Sequence, residues 1–142
     1  MSTRSVIAIK KADGTIHAVY CHFDGYVAGV GVALSLWYNT QERVEQLLAL
    51  GDISNLGKYL TREECPVGES NITNAYHRDH NEELRSPIIY QTQEDFTSAG
   101  EPHFGAEYLY LFDNGKWYVY GIYWHQGWME LSVAIEKEKA KE

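Results

Sequence analysis

Cysteine, long apolar runs, clustered basic charge and familiar catalytic signatures are all scarce in this sequence, and each scarcity excludes something. Only two cysteines, Cys21 and Cys65, occur in 142 residues, too few for the disulfide framework on which small secreted domains depend. No apolar run reaches the roughly 18 residues that span a bilayer, and no charged-then-apolar leader opens the chain. The expectation is a cytoplasmic protein with no membrane partner. Lys and Arg number 12 against 20 Asp and Glu, for a net charge of −8. The only tight basic groups are Lys10-Lys11 and a tail that alternates Lys with Glu. Neutralising phosphates needs clustered cations, so direct binding of duplex DNA is not expected. No GxxxxGK[ST], strand-GxGxxG-helix, CxxC, HExxH or GxSxG pattern is present. Gly25-x-x-x-Gly29-x-Gly31 is glycine-rich but lacks the lysine and the spacing of a phosphate loop. These absences lower the case for an enzyme without excluding one, and no cofactor is expected.

What is present fits one domain spanning 1–142, with 44% apolar and 23% charged residues, enough to bury a core without metals or disulfides. The negative charge is uneven: residues 1–71 carry 8 acidic and 6 basic side chains, residues 72–142 carry 12 and 6. Such a surface keeps a protein soluble and steers it toward basic partners. Aromatics are the compositional outlier, with 11 Tyr, 4 Trp and 4 Phe. They suit strand packing and binding surfaces alike.

The pattern of elements predicts an α+β fold, an antiparallel sheet of at least two β-hairpins packed against two or three helices. Val6-Ile7-Ala8-Ile9 and Ile16–Phe23 flank Asp13-Gly14, a two-residue turn signal. Centring the turn there pairs Ile9 with Ala18, Ile7 with Tyr20 and Val6 with Cys21. Both faces of this hairpin are apolar, which places it centrally. Residues 30–38 read as helical, with Val32, Leu36, Ala33 and Trp37 inward. Asn39 or Thr40 caps a second helix whose Val44, Leu47 and Leu48 form one stripe and whose stop is Gly51. Residues 52–57 read as a capped turn, 61–86 as a polar loop, 88–90 as a short strand and 91–98 as a short helix. A second hairpin turns at Asn114-Gly115, pairing Phe112 with Trp117, Tyr110 with Val119 and Leu109 with Tyr120. A helix over 128–140 closes the chain. The second hairpin is also apolar on both faces and needs two covers, which helices, another subunit or a ligand could supply, and this favours a homo-oligomer.

Three segments concentrate chemistry. In Tyr20–Tyr26, Cys21 and His22 point to opposite faces of a strand and cannot easily pair, which leaves His22, Asp24 and Tyr26 as ligand-binding candidates beside a plain packing role for Cys21. In Tyr76–Glu83, the candidates are Tyr76, His77, Arg78 and Asp79. Arg78 suits a phosphate or carboxylate fork; His77 and His80, three apart, share a helical face and could hold a metal if Cys65, an Asp or a Glu completed the ligand set, while a hydrated loop fits the same residues. In Tyr123–Trp128, Trp124 and His125 form either a stacking platform or a plug for the core.

Ser2–Ala8, Asp13-Gly14, Val19–Tyr26, Tyr38-Asn39, Leu48–Ser54 and Tyr76–Asp79 together resemble a family of small uncharacterised proteins of bacteriophages and prophages. The resemblance covers much of residues 2–80 and, more loosely, the Tyr/Trp hairpin. The chain departs from it at His80, where an Arg or similar often follows Arg78-Asp79. It implies a non-enzymatic phage accessory protein in the host cytoplasm, inhibiting a host defence system by binding. The partner is then a small nucleotide signal, held by aromatic stacking with Arg78, Arg4 or His side chains, or a host protein masked by the acidic half. The alternative is a small hydrolase or phosphodiesterase using His22, His77 or His125 with Asp24 or Asp79.

Overall fold

The run Val6-Ile7-Ala8-Ile9 has no polar face to offer water, and it becomes the middle of the sheet. The computed structural model describes residues 3–124 and 126–141, with the side chains of all of these except residues 100–103. In chain order the elements are β1 (Ser5–Lys10), β2 (Ile16–Cys21), a π turn (Val27–Gly31) leading into α1 (Val32–Trp37), α2 (Gln41–Leu48), β3 (Ile53–Asn55), β4 (Asn74–Ala75), α3 (Tyr76–His80), β5 (Ile88–Tyr90), α4 (Gln93–Phe104), β6 (Tyr108–Asp113), β7 (Lys116–Gly121), β8 (Met129–Glu130) and α5 (Leu131–Ala140). The strands make one sheet in the order β4-β3-β2-β1-β6-β7-β8, with β5 also paired to β2. The fold is α+β, and its strand pairs are mostly antiparallel; β1 with β6 and β2 with β3 run parallel.

Both faces of the sheet are covered by the chain itself. On one, Ile7, Ile9, Val19, Tyr110, Phe112 and Val119 pack under Leu34 of α1, Val44 and Leu47 of α2, and Leu131 and Ala134 of α5. On the other, Val6, Ala8, Ala18, Leu109 and Leu111 pack under Phe96 of α4, with Tyr90 and Trp128 at the margin. Of the covers that a sheet apolar on both faces requires, helices of the same chain supply those seen here.

The two hairpins differ in how their turns set register. Asn114 and Gly115 both adopt positive φ, 51° and 84°, the two-residue turn whose twist matches its strands. It pairs Phe112 with Trp117, Tyr110 with Val119 and Leu109 with Tyr120 as the sequence predicts. The first hairpin does not turn on two residues. Lys11 N–H donates to Thr15 O, Gly14 N–H donates to Lys11 O, and Gly14 takes φ 88°. Asp13 accepts from both Thr15 N–H and Thr15 Oγ1, at 2.9 and 2.6 Å. The longer loop shifts the register by one, so that Ile7 faces Val19 and Ala8 faces Ala18. A one-residue slip exchanges the faces of a strand. Tyr20 thus leaves the Ile7 side and stands on the opposite face.

Two further expectations give way to non-local packing. The π turn carries one residue more than an α turn and changes the helical phase. In the α1 that follows, Leu34 is buried and Leu36 is 59% exposed. Residues 52–57 contain a strand rather than a bare turn: Ile53 pairs with Cys21 on one side and Ala75 on the other. Thr40 caps α2 by accepting from Arg43 N–H at 3.1 Å. Among the described residues, no helix is long and apolar enough to cross a membrane.

Deep in the larger core, the Tyr110 hydroxyl donates to Gly25 O at 2.7 Å, tying the centre of the sheet to the loop after β2. Tyr110→Phe leaves that buried carbonyl without the donor, at a cost of about 1–3 kcal/mol. The expected outcome is a lower urea midpoint with an unchanged m-value.

Candidate functional site

The outer edge of β2 is shared by two strands that do not meet. β5 pairs with Ile16, His17 and Ala18, and β3 pairs with Cys21. Between them the Tyr20 N–H has no strand partner and donates to Asp52 Oδ1 at 3.0 Å. A strand edge that loses its neighbour in this way opens a gap in the sheet, and the gap is the candidate site.

Its walls come from four places in the chain. The register of the first hairpin brings Tyr20, whose ring lies parallel to Phe104 of α4, 6° between planes and 6.2 Å between centroids. The Tyr20 hydroxyl and His22 Nδ1 share a 2.6 Å hydrogen bond. Opposite, α3 is a single turn closed by Asn81 at φ 56°, and it supplies Tyr76 and His77. A carbonyl only accepts, so His77 Nδ1–H is the donor to Glu82 O at 2.7 Å, and a neutral His77 then presents Nε2 as an acceptor. Burial raises the Tyr20 and Tyr76 phenols above their ordinary value of 10, so both remain protonated O–H groups at neutral pH.

Residues 81–87 run over the opening as a strap. Leu84 seats on Gly51, where an added Cβ would come 2.9 Å from Leu84 Cδ1; Gly51 also takes φ 78°. Below the strap lie two joined depressions of about 190 and 220 Å³ that share Tyr20, Asp52 and Arg85. Phe104 and Ile88 border one, Tyr76 and His77 the other. The Arg85 guanidinium makes no hydrogen bond or ion pair with any described residue, in a chain with an excess of carboxylates.

The residues singled out from the sequence are divided among several places. His22, Tyr76 and His77 belong to this gap. Asp24 and Tyr26 bond each other at 3.3 Å in the loop before the π turn. Arg78 is occupied: it donates to Leu60 O and Thr73 O at 2.5 and 2.7 Å and to both oxygens of Asp79. It staples α3 to the loop that precedes it and holds no open fork. Trp124 stands edge-on to Tyr108 and donates to Gly127 O, on the face opposite Trp128, which donates to Thr97 Oγ1. His125 lies outside the described residues. Cys21 is a buried thiol pushed up to about 12 by desolvation, which suits packing and not nucleophilic attack.

Among the described residues, no imidazole is in a salt bridge with a carboxylate, and no three His, Cys, Asp or Glu side chains converge as a metal-binding group. Arg85 and Phe104 escaped the sequence reading because neither sits in a motif. The one available signal for Arg85 was its place in a polar stretch just before Pro87 and a short apolar strand. Comparison with family models, curated proteins and solved structures found no match.

The Arg78 hydrogen bonds hold the Asp79 carboxyl below its ordinary 3.8. A carboxylate with a depressed folded value stabilises the fold above its unfolded value, and that contribution drains as pH falls through the folded one. Wild-type stability is therefore expected to drop below pH 3.8 more steeply than that of Asp79→Asn. Urea midpoints measured across the acid range check this.

Proposed function

We propose that this chain is a non-enzymatic binding protein for a small nucleotide carrying few phosphates, held in the gap at the edge of β2. The observation that carries the reading is Arg85, which lines a cleft walled by Tyr20, Tyr76 and Phe104 and whose guanidinium has no partner among the described residues. Aromatic rings offer a base a stacking surface worth about 1–3 kcal/mol. A free guanidinium offers a phosphate a planar, charge-assisted fork. Asp52 gives one oxygen to the Tyr20 N–H and keeps the other for a base amine, the pairing carboxylates make with exocyclic amino groups.

The same surroundings set the charge of the ligand. Glu82 and Glu83 border the cleft, and the protein carries −8 overall. A triphosphate meets repulsion that a monophosphate or a cyclic diester largely escapes. In the phage setting that the sequence resembles, such a protein acts by sequestering a nucleotide signal in the host cytoplasm.

Isothermal titration with purine nucleoside mono- and triphosphates tests the reading. Monophosphates are expected to bind more tightly, and Arg85→Ala to weaken binding by about tenfold, the loss of one charge-assisted contact. Tyr76→Ala is expected to weaken it by about fivefold or more through lost stacking. The ligand is expected to return chemically intact after denaturation. Conversion of the nucleotide on incubation, or affinity indifferent to Arg85 and Tyr76, counts against the proposal.

A further inference from the structure

A second pocket lies under the same strap on the opposite face of the sheet, and its chemistry differs from that of the cleft. It encloses about 240 Å³, with Ile9, Leu48, Leu84 and Pro87 as apolar lining and Lys11, Glu45, His17 and Arg85 as polar lining. Apart from the His17 imidazole it contains no aromatic ring, so it provides no stacking surface for a base. Its formal charges are two cations, Lys11 and Arg85, against one carboxylate, Glu45, so it has one uncompensated positive charge. Lys11 and Glu45 form an ion pair at the rim, with side chains 32% and 42% exposed.

We propose that this pocket binds a small aliphatic carboxylate. The carboxylate meets Arg85 and Lys11, and the alkyl chain lies on Leu48, Leu84 and Pro87. A planar monoanion matches both the single surplus charge and the guanidinium fork. The aliphatic lining takes the chain out of water, at about 0.8 kcal/mol for each buried methylene, and selects against an ion with no tail. Glu45 competes with the ligand for Lys11. The two members of that ion pair therefore affect binding in opposite directions: removing Lys11 takes away an attractor and leaves Glu45 as a repeller, while removing the Glu45 charge frees Lys11. A pair that served only to hold the fold would not produce this opposition.

The test uses the full chain and hexanoate, followed by NMR of the leucine methyl groups, with 1-hexanol and hexylammonium as controls. Saturable shifts at Leu48 and Leu84 with hexanoate in the millimolar range, and much weaker ones with either control, are expected. Lys11→Met should weaken hexanoate by about fourfold and Glu45→Gln should tighten it by about twofold, changes typical of one exposed charge. Because the pair is exposed, both variants are expected to fold, which the leucine spectrum itself reports. No saturable shift, equal binding of hexanol, or the same direction of change in both variants overturns the proposal. The pocket shares Arg85 with the nucleotide cleft, and Tyr76, which borders the cleft and not the pocket, separates the two. Tyr76→Ala is expected to leave hexanoate affinity unchanged while reducing that for nucleotides, and failure of either ligand leaves the other result standing.

Discussion

Every residue of β1 from Ser5 to Ile9 is shut off from solvent, and this burial on both faces governs the rest of the molecule. A strand in that position cannot bond its backbone to water, so both edges must be satisfied by other strands. β2 takes one and β6 takes the other. Once these three strands are joined, each face presents an apolar surface that has to be covered. The helices after β2 and at the chain end take one face, and α4 takes the other. The parallel pairing of β1 with β6 accompanies this arrangement, in which the chain between β2 and β6 adds β5 to the edge of β2 and lays α4 on the second face before it returns.

The gap at the edge of β2 is a by-product of the same economy. β2 is six residues long, and the two strands that pair along its outer edge are three residues each. They arrive from different parts of the chain, with the strap between them. Where they fail to meet, an amide is left over and Asp52 takes it. The gap therefore requires a side chain to complete the backbone bonding, and this keeps the Asp52 carboxylate fixed beside the aromatic wall. The strap lies over both sides of the edge, which puts Arg85 within the lining of an aromatic cleft and an aliphatic pocket at once.

The division of labour among the arginines is equally physical. Arg43 is held bidentate by Glu64, at 3.0 and 2.8 Å, and lies over the Tyr38 ring. Arg78 is consumed by two carbonyls and Asp79. Both are structural because acceptors surround them on several sides. Arg85 lies on an extended segment whose neighbours are Leu84, Ser86 and Pro87, and none of these offers it a carboxylate. In a chain with 20 acidic side chains, a guanidinium left unpaired by described residues is the feature that most directly suggests an anionic ligand.

The sequence by itself determined the parts that local chemistry decides. Asn114-Gly115 specified both the second hairpin and its register, because two adjacent positive φ angles admit one turn. Thr40, Gly51 and the Val44-Leu47-Leu48 stripe delimited α2, because capping and helical periodicity act within a few residues. The opposite orientations of Cys21 and His22 followed from the alternation of a strand. The first hairpin is the exception, for bonds within residues 11–15 made its loop longer than the Asp13-Gly14 pair alone specifies and moved Tyr20 to the face of the cleft. The tertiary structure decided everything that depends on which distant segments meet. Arg78 read as an open fork until Leu60 and Thr73 supplied its acceptors. Arg85 carried no motif, and its importance comes only from the gap beneath it. A turn is fixed by the torsions of its own residues, whereas a cleft is fixed by the spaces that separately folded segments leave between them.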